Sequence, residues 1–236
     1  MKNHLAKRKV IELSYKHKLS HLGSVLGAID TIYDIYIRKN TYDKVILSAG
    51  HCGLALYLAL EDFENYNAET LLKNGGIHPD ALNHPVDCSA GSLGHGLGIA
   101  IGMAIAEPEN IIHVISSDGE LAEGSMWEAL EIIRKLGIIN IKLYVLANGT
   151  SGYNFVGTNH LKNRLKIYNE VADYSKDVTG MTYKKHDFIH IVETDVTKEF
   201  PFLTGIDAHY HVMSESEYQL ALELTNLQWK KYQRKN

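Results

Sequence analysis

Apolar residues along this chain follow two rhythms, and each rhythm predicts a different element. Val45-Ile46-Leu47, Ile111 to Ser117 and Ile141 to Ala147 are short and almost continuously apolar. Phe188-Ile189-His190-Ile191-Val192 is a fourth run of the same kind. Such runs, rich in β-branched residues, predict strands buried on both faces of a sheet. Between them the apolar positions recur at helical spacing. Residues 1–19 predict a helix, with Val10, Ile11 and Leu13 set among lysines. Val25 to Ile37 predicts a second and Leu54 to Leu60 a third. Residues 121–136 predict another, which carries Trp127, Leu130 and Ile133 toward a core and stops at Gly137, a natural C′ position. Ser214-Glu215-Ser216-Glu217 has the capping-box pattern and opens a last helix through Leu227. Strands alternating with helices predict an α/β fold, a parallel sheet flanked by helices.

Two stretches break the rhythm. Residues 74–92 carry Gly75, Gly76, Pro79, Pro85 and two His-Pro pairs, and predict irregular chain. Gly91-Ser92-Leu93-Gly94 then leads into an alanine-rich segment holding Gly96, Gly98 and Gly102. A glycine costs a helix interior about 1 kcal/mol. So many of them predict that another backbone or a flat ligand comes close. No repeat or linker divides the sequence, so residues 1–236 read as one domain with a helical tail from about 215.

Composition narrows the function only by exclusion. The chain is 45% hydrophobic and 22% charged, as expected for an ordinary globular protein. A formal charge of −4 without a basic stripe argues against nucleic acid. Cys52 and Cys88 fit neither a disulfide framework nor a CxxC zinc site. No apolar stretch has the length of a signal peptide or a membrane span, so the cytoplasm is the expected compartment and no membrane partner is expected.

The chemistry gathers where two of the apolar runs end. Asp118-Gly119-Glu120 follows the first, and Asn148-Gly149-Thr150 follows the next, with a helical stretch between. Ligands of open α/β sheets collect beyond the carboxyl ends of the strands. A carboxylate and an amide brought together there can hold a small hard cation through oxygen, and the cation can hold a phosphate. A lone Asp-Gly is an ordinary turn, since both residues favour turns for conformational reasons. Here it is followed by Glu123-Gly124, by Trp127-Glu128-Ala129, and by Asn148 thirty residues on. Upstream stand His21-Leu22-Gly23-Ser24, Leu47-Ser48-Ala49-Gly50-His51 and Gly91-Ser92-Leu93-Gly94-His95-Gly96. Over about residues 15–215 this set resembles the thiamine-diphosphate signature of the transketolase family, with its motifs in the family's order.

That resemblance implies a thiamine diphosphate-binding fold of the diphosphate (PP) type and a role for each matching residue. Asp118 and Asn148 match metal ligands for Mg²⁺ or Ca²⁺, with the Thr150 carbonyl as a third, and the diphosphate completes the shell. Gly119 matches a position where backbone approaches a phosphate. His51 matches a histidine on the diphosphate, while Gly91 and Leu93 match residues lining the cofactor. His21 and His209 match active-site histidines placed for proton transfer and hydrogen bonding to sugar hydroxyls. Glu123 matches an acid that faces its counterpart across a dimer and shares protons there. His78 and His84 both precede proline where the family has one active-site His-Pro, and His78 is preferred because Asp80 follows it. His84, His95, His113, His160 and His190 are expected to be bystanders.

The departures are informative. Ser117-Asp118-Gly119 stands for Gly-Asp-Gly and Ala147-Asn148 for Asn-Asn, and both changes spare the ligands. The basic, glycine-containing segment expected after the last strand is Thr197-Lys198-Glu199-Phe200-Pro201-Phe202, which puts the substrate in doubt. No second domain for the aminopyrimidine fits after residue 215. The resemblance therefore implies the N-terminal subunit of a split transketolase, completed by a C-terminal pyrimidine-domain subunit. Together they would form a heterotetramer and move a two-carbon ketol unit from a ketose to an aldehyde. His17-Lys18-Leu19-Ser20-His21 and the Ser-Asp-Gly variant are similar to split enzymes of nucleotide-sugar or surface-polysaccharide pathways. Two alternatives stay open, an acyl-transferring 2-oxoacid enzyme with the same cofactor and a non-catalytic scaffold subunit.

Overall fold

The four apolar runs lie side by side as one parallel sheet. The computed structural model describes residues 2–152, 154–173 and 182–233. The chain opens with α1 (Lys2–Lys16) and α2 (Leu22–Arg38), followed by β1 (Lys44–Leu47), α3 (Gly53–Glu64) and α4 (Ala68–Gly75). After an irregular stretch come α5 (Gly96–Ala106), β2 (Ile112–Ser117), α6 (Gly124–Leu136) and β3 (Ile141–Ala147). The last part holds α7 (Thr158–Leu165), β4 (Glu170–Asp173), β5 (Thr182–Lys185), β6 (Ile189–Glu193) and α8 (Glu215–Gln233). The sheet order is β1-β2-β3-β6, all parallel, while β4 and β5 form a separate antiparallel pair.

Alternation along the strands divides the core. Val45, Leu47, Ile115 and Leu146 pack with α1, α2 and α3 on one face. Ile46, Val114, Leu143 and Val145 pack with α5, α6 and α7 on the other. Successive strand side chains point to opposite faces, so each apolar run feeds both cores at once. Burial on both sides explains why the runs carry so few polar residues. Because the strands are parallel, all four carboxyl ends share one edge. Ser48, Asp118, Asn148 and Thr194 emerge there.

Several boundaries differ from the periodicity. The second helix begins at Leu22 rather than Val25, because the chain turns on left-handed residues at Lys18 (φ 53°) and His21 (φ 61°). The helix expected from 121 starts at Gly124, since Gly119–Ala122 form a tighter 3₁₀ turn. Helices α4 and α7 and the β4–β5 pair are short elements that the apolar pattern did not mark. The capping box is formed: Ser214 N donates to Glu217 Oε2 at 2.8 Å, and Glu217 N to Ser214 Oγ at 3.3 Å. The helix it opens extends to Gln233, beyond Leu227. Among the described residues, the close approach expected of the α5 glycines holds only for Gly96, where an added Cβ would lie 2.4 Å from Ser48 Oγ. A Cβ at Gly98 or Gly102 meets nothing within 4 Å.

Candidate active site

Two strand ends are tied together by one side chain. Asp118 N donates to the Leu146 carbonyl at 3.0 Å. Its Oδ2 accepts from Gly149 N at 2.8 Å and its Oδ1 from Gly119 N at 2.9 Å. The carboxylate thus bridges the tips of β2 and β3 while only 2% exposed. Burial pushes it above the ordinary carboxylate range, and the N–H groups of Gly149 and Gly119 pull it back. Each of its oxygens keeps a lone pair free of these contacts. Asn148 is exposed beside it, with Oδ1 accepting from Thr150 N at 2.8 Å and Thr150 Oγ1 at 2.9 Å. Both lone pairs of that oxygen are engaged in its own turn, so to ligate a cation the amide must swing outward. Among the described residues no three His, Cys, Asp or Glu side chains cluster as a metal site. The candidate donors on these two neighbouring turns (carboxylate, amide oxygen, backbone carbonyl) are all oxygen. That set fits a hard cation carrying a phosphate and not a thiolate- or imidazole-bound metal.

Histidines form the adjoining wall. His21 sits in the left-handed turn that starts α2, and its N–H donates to the His209 carbonyl at 3.1 Å. The rings of His21 and His209 lie 4.5 Å apart edge to face, with His51 at 5.2 Å from His21 and 5.8 Å from His209. His21 Nδ1 is buried without a hydrogen-bond partner among the described residues. An orphaned polar atom of this kind costs stability unless a ligand satisfies it. His21, His209, Asn148, Thr150, Thr194 and Asp195 line one depression, joining two of the candidate metal ligands to two of the histidines, while Asp118 lines a separate one with Gly119 and Ser151. Burial first, and then the neighbouring imidazoles, push His51 down to about 3 and His21 to about 4. Burial also lowers His209. All three rings are therefore neutral at pH 7, each with one donor and one acceptor nitrogen.

The two His-Pro pairs separate cleanly. His84 is buried, with Nδ1 accepting from Asp80 N at 2.9 Å and Nε2 paired with the Leu71 carbonyl at 2.9 Å. Both nitrogens are used, so it holds the loop. His78 is exposed and lies against Gly91, where an added Cβ would stand 3.8 Å from the ring. Gly50 explains how this loop reaches the site: a Cβ there would come within 2.8 Å of Gly91 N. The Gly91-to-Gly94 turn is thereby pressed against the turn that carries His51, leaving Leu93 exposed at the rim. Gly119 follows Asp118 against Ser151, where a Cβ would stand 3.1 Å from that side chain. Glu123 is exposed at the start of α6, beside Gly94, with no side-chain cap bond.

Sequence reasoning missed Tyr210, which stands edge-on to His21 at 5.4 Å and His209 at 4.7 Å. It also missed Glu120, fully buried behind the site. The Asp-Gly-Glu string contains Glu120, but nothing local marks it as more than part of the turn.

Residues 77–195 match the family described as thiamine pyrophosphate enzyme, C-terminal TPP binding domain. The chain belongs to the thiamine pyrophosphate enzymes, within the transketolase family. One subunit of the apulose-4-phosphate transketolase of Phocaeicola vulgatus is 30% identical over 143 residues, 52% of this chain and 51% of that protein. Transketolase of Mycoplasma genitalium is 26% identical over 258 residues, 89% of this chain and 39% of its own length. The crystal structure of transketolase from Campylobacter jejuni superimposes with a TM-score of 0.67 over 99% of this chain and 48% of that one, at 22% identity. That likeness establishes the fold. The chain spans about half the length of the curated relatives it matches first. The matched 77–195 segment contains Asp118, Gly119, Asn148 and Thr150, so the thiamine pyrophosphate enzyme match covers the oxygen-donor edge.

The neutral histidines of this transketolase-family chain give its stability a defined pH dependence. Unfolded histidines protonate near pH ~6.5. Folded His21 and His51 stay neutral down to about 4 and about 3. Between these limits the unfolded state binds more protons, so stability is full above the upper limit and falls as the pH is lowered. Urea midpoints should drop from pH 7 to 4.5, and His51→Gln should drop less steeply. Parallel curves for the two proteins would contradict the assignment.

Proposed function

We propose that this chain is the diphosphate-binding half of a two-chain, thiamine-diphosphate-dependent transketolase. The reading rests on one observation: a buried carboxylate and further oxygen donors stand at the sheet edge near neutral histidines, of which His21 has an unsatisfied nitrogen. Asp118, Asn148 and the Thr150 carbonyl would hold Mg²⁺ or Ca²⁺. Gly119 would admit the diphosphate and His51 would hydrogen-bond to it, while Gly91 and Leu93 would line the ring system. When bound, thiamine diphosphate supplies the nucleophilic carbon and the electron sink that break a ketose carbon–carbon bond. His21, His78 and His209 would orient the sugar hydroxyls and carry protons to and from them, and the neutral rings of His21 and His209 can do so as donor and acceptor together. The left-handed turn at His21 directs a strained residue into the site, a common place for such strain.

The second wall would come from a partner carrying the pyrimidine domain. A relative named as one subunit of a transketolase supports such a division. Exposed apolar side chains on several loops (Leu82, Leu93, Phe155 and Tyr210) fit a surface that another chain covers. The substrates would be sugars, in a nucleotide-sugar or surface-polysaccharide pathway of the cytoplasm. Self-association would run through α5, which has no charged residue and turns Gly98, Ile99, Gly102 and Ile105 outward. Glycines four residues apart on a helix let a second backbone approach closely. Glu123, near the start of that helix, would then meet its counterpart, and two copies of each chain would make a heterotetramer.

Two outcomes are expected. Removing a metal's outer-shell partner typically weakens binding about 10–100-fold, so loss of a ligand should exceed that. Asp118→Ala should abolish Mg²⁺-dependent thiamine diphosphate binding by the assembled enzyme, and unchanged calorimetric affinity would refute the ligand assignment. Gly102→Glu places a charge where none of the described residues crowds it. It should leave the fold intact and dissociate the self-associated species in sedimentation velocity, whereas a wild-type assembly of strictly one copy of each chain, fully active, would contradict the interface.

A further inference from the structure

Glu120 is the one fully buried carboxylate among the described residues, and no cation pairs with it. Its two oxygens are used unequally. Oε1 accepts from Ser48 Oγ at 2.5 Å and from Gly94 N at 2.7 Å, while Oε2 accepts from Ser116 Oγ at 2.8 Å. These three donors belong to three separate pieces of the site. Ser48 ends β1 and leads to the turn holding His51. Gly94 closes the turn that carries Gly91 and Leu93, in a left-handed conformation with φ 82°. Ser116 lies on β2, two residues before Asp118. A Cβ at Gly94 would fall within 2.8 Å of Glu123, so that turn is also held from the opposite side. Ser125 Oγ completes the hold by donating to the Gly94 carbonyl at 3.0 Å.

We infer that Glu120 is a positioning residue for the cofactor. Its carboxylate is a strut that fixes the distance from the Asp118 strand end to the Gly91–Leu93 wall and to the His51 turn. A backbone N–H aimed at a buried carboxylate is a strong, directional contact, and it fixes a loop better than a contact to water would. Without the strut, the Gly91–Gly94 turn keeps Ser125 and Glu123 but loses its tie to β1 and β2. The two walls of the cofactor site would then move independently, and binding would have to order them. The cost falls on cofactor affinity in a folded protein, which a purely structural role would leave unmoved.

The inference rests on the proposed cofactor reading, and the test separates the two. Mg²⁺ with thiamine diphosphate is titrated calorimetrically into the assembled wild-type enzyme and into two near-isosteric variants. Amide hydrogen exchange is followed over residues 91–95. Glu120→Gln keeps an oxygen for Gly94 N and Ser48 and offers an amide to Ser116, so affinity within about threefold of wild type is expected. Glu120→Met keeps the volume and removes every acceptor. Affinity should fall by about tenfold or more, the worth of one charge-assisted hydrogen bond, and exchange at residues 91–95 should accelerate. Should the Met variant not fold, Ser48→Ala carries the same test, with an expected loss of about threefold. A folded Met variant with wild-type affinity, or a Ser48→Ala variant with wild-type affinity where Met fails to fold, overturns the positioning role alone. A wild-type enzyme that binds no cofactor overturns the reading beneath it.

Discussion

Burying a carboxylate is costly unless hydrogen bonds or a cation compensate it, and this chain buries two within three residues. Asp118 and Glu120 both leave the end of β2 and turn inward. Their oxygens are met from several directions: Gly119 and Gly149 for Asp118, and Ser48, Gly94 and Ser116 for Glu120. The partners come from β1, β2, the loop before α5 and the turn after β3. One short stretch of chain therefore sets the spacing of nearly every piece of the sheet's carboxyl edge. For Glu120 the compensation is complete within the protein. Asp118 remains pushed upward by burial despite its two N–H donors. That residual cost is what a bound cation would relieve.

The histidine wall extends the same principle to neutral groups. Burial and mutual repulsion keep His21 and His51 uncharged. A neutral ring has an acceptor nitrogen that a protonated ring lacks, and His21 Nδ1 has no partner among the described residues. The unsatisfied nitrogen of His21 faces the depression that Asn148 and Thr150 line, and Asp118 lines a separate one with Gly119 and Ser151. The stability given up at this edge is consistent with a site shaped for a ligand and not for the chain's own packing. Its rim carries exposed apolar side chains, as expected where a second polypeptide closes over it.

How much of this was legible in the sequence follows from how local each determinant is. The strands were legible because burial on both faces leaves a continuous apolar signal, and Asp118 and Asn148 because each directly follows one. The β4–β5 pair was not, since Glu170-Val171-Ala172-Asp173 and Thr182-Tyr183-Lys184-Lys185 carry too few apolar positions to set a period. The start of α2 was misplaced because left-handed backbone at Lys18 and His21 has no glycine to announce it. In sequence the aspartate after His78 marks that histidine, whereas in the structure it contacts His84. Asp80 belongs to the His84 anchor, accepting none of the site's protons and donating its N–H to His84. Glu120 was invisible because its partners Ser48 and Gly94 are 72 and 26 residues away in sequence. The outward glycines of α5 were legible as glycines, but nothing among the described residues comes within 4 Å of a Cβ at Gly98 or Gly102.

If this chain holds one end of a cofactor and a second chain must hold the other, the division of labour should be visible in a single assay. Ketol transfer from a ketose to an aldehyde is measured with Mg²⁺ and thiamine diphosphate, first with the purified chain alone and then after adding the pyrimidine-domain partner. No turnover alone and robust transfer by the pair is the expected result. Robust transfer by the single polypeptide, or transfer by the pair from pyruvate but from no ketose, would contradict the account.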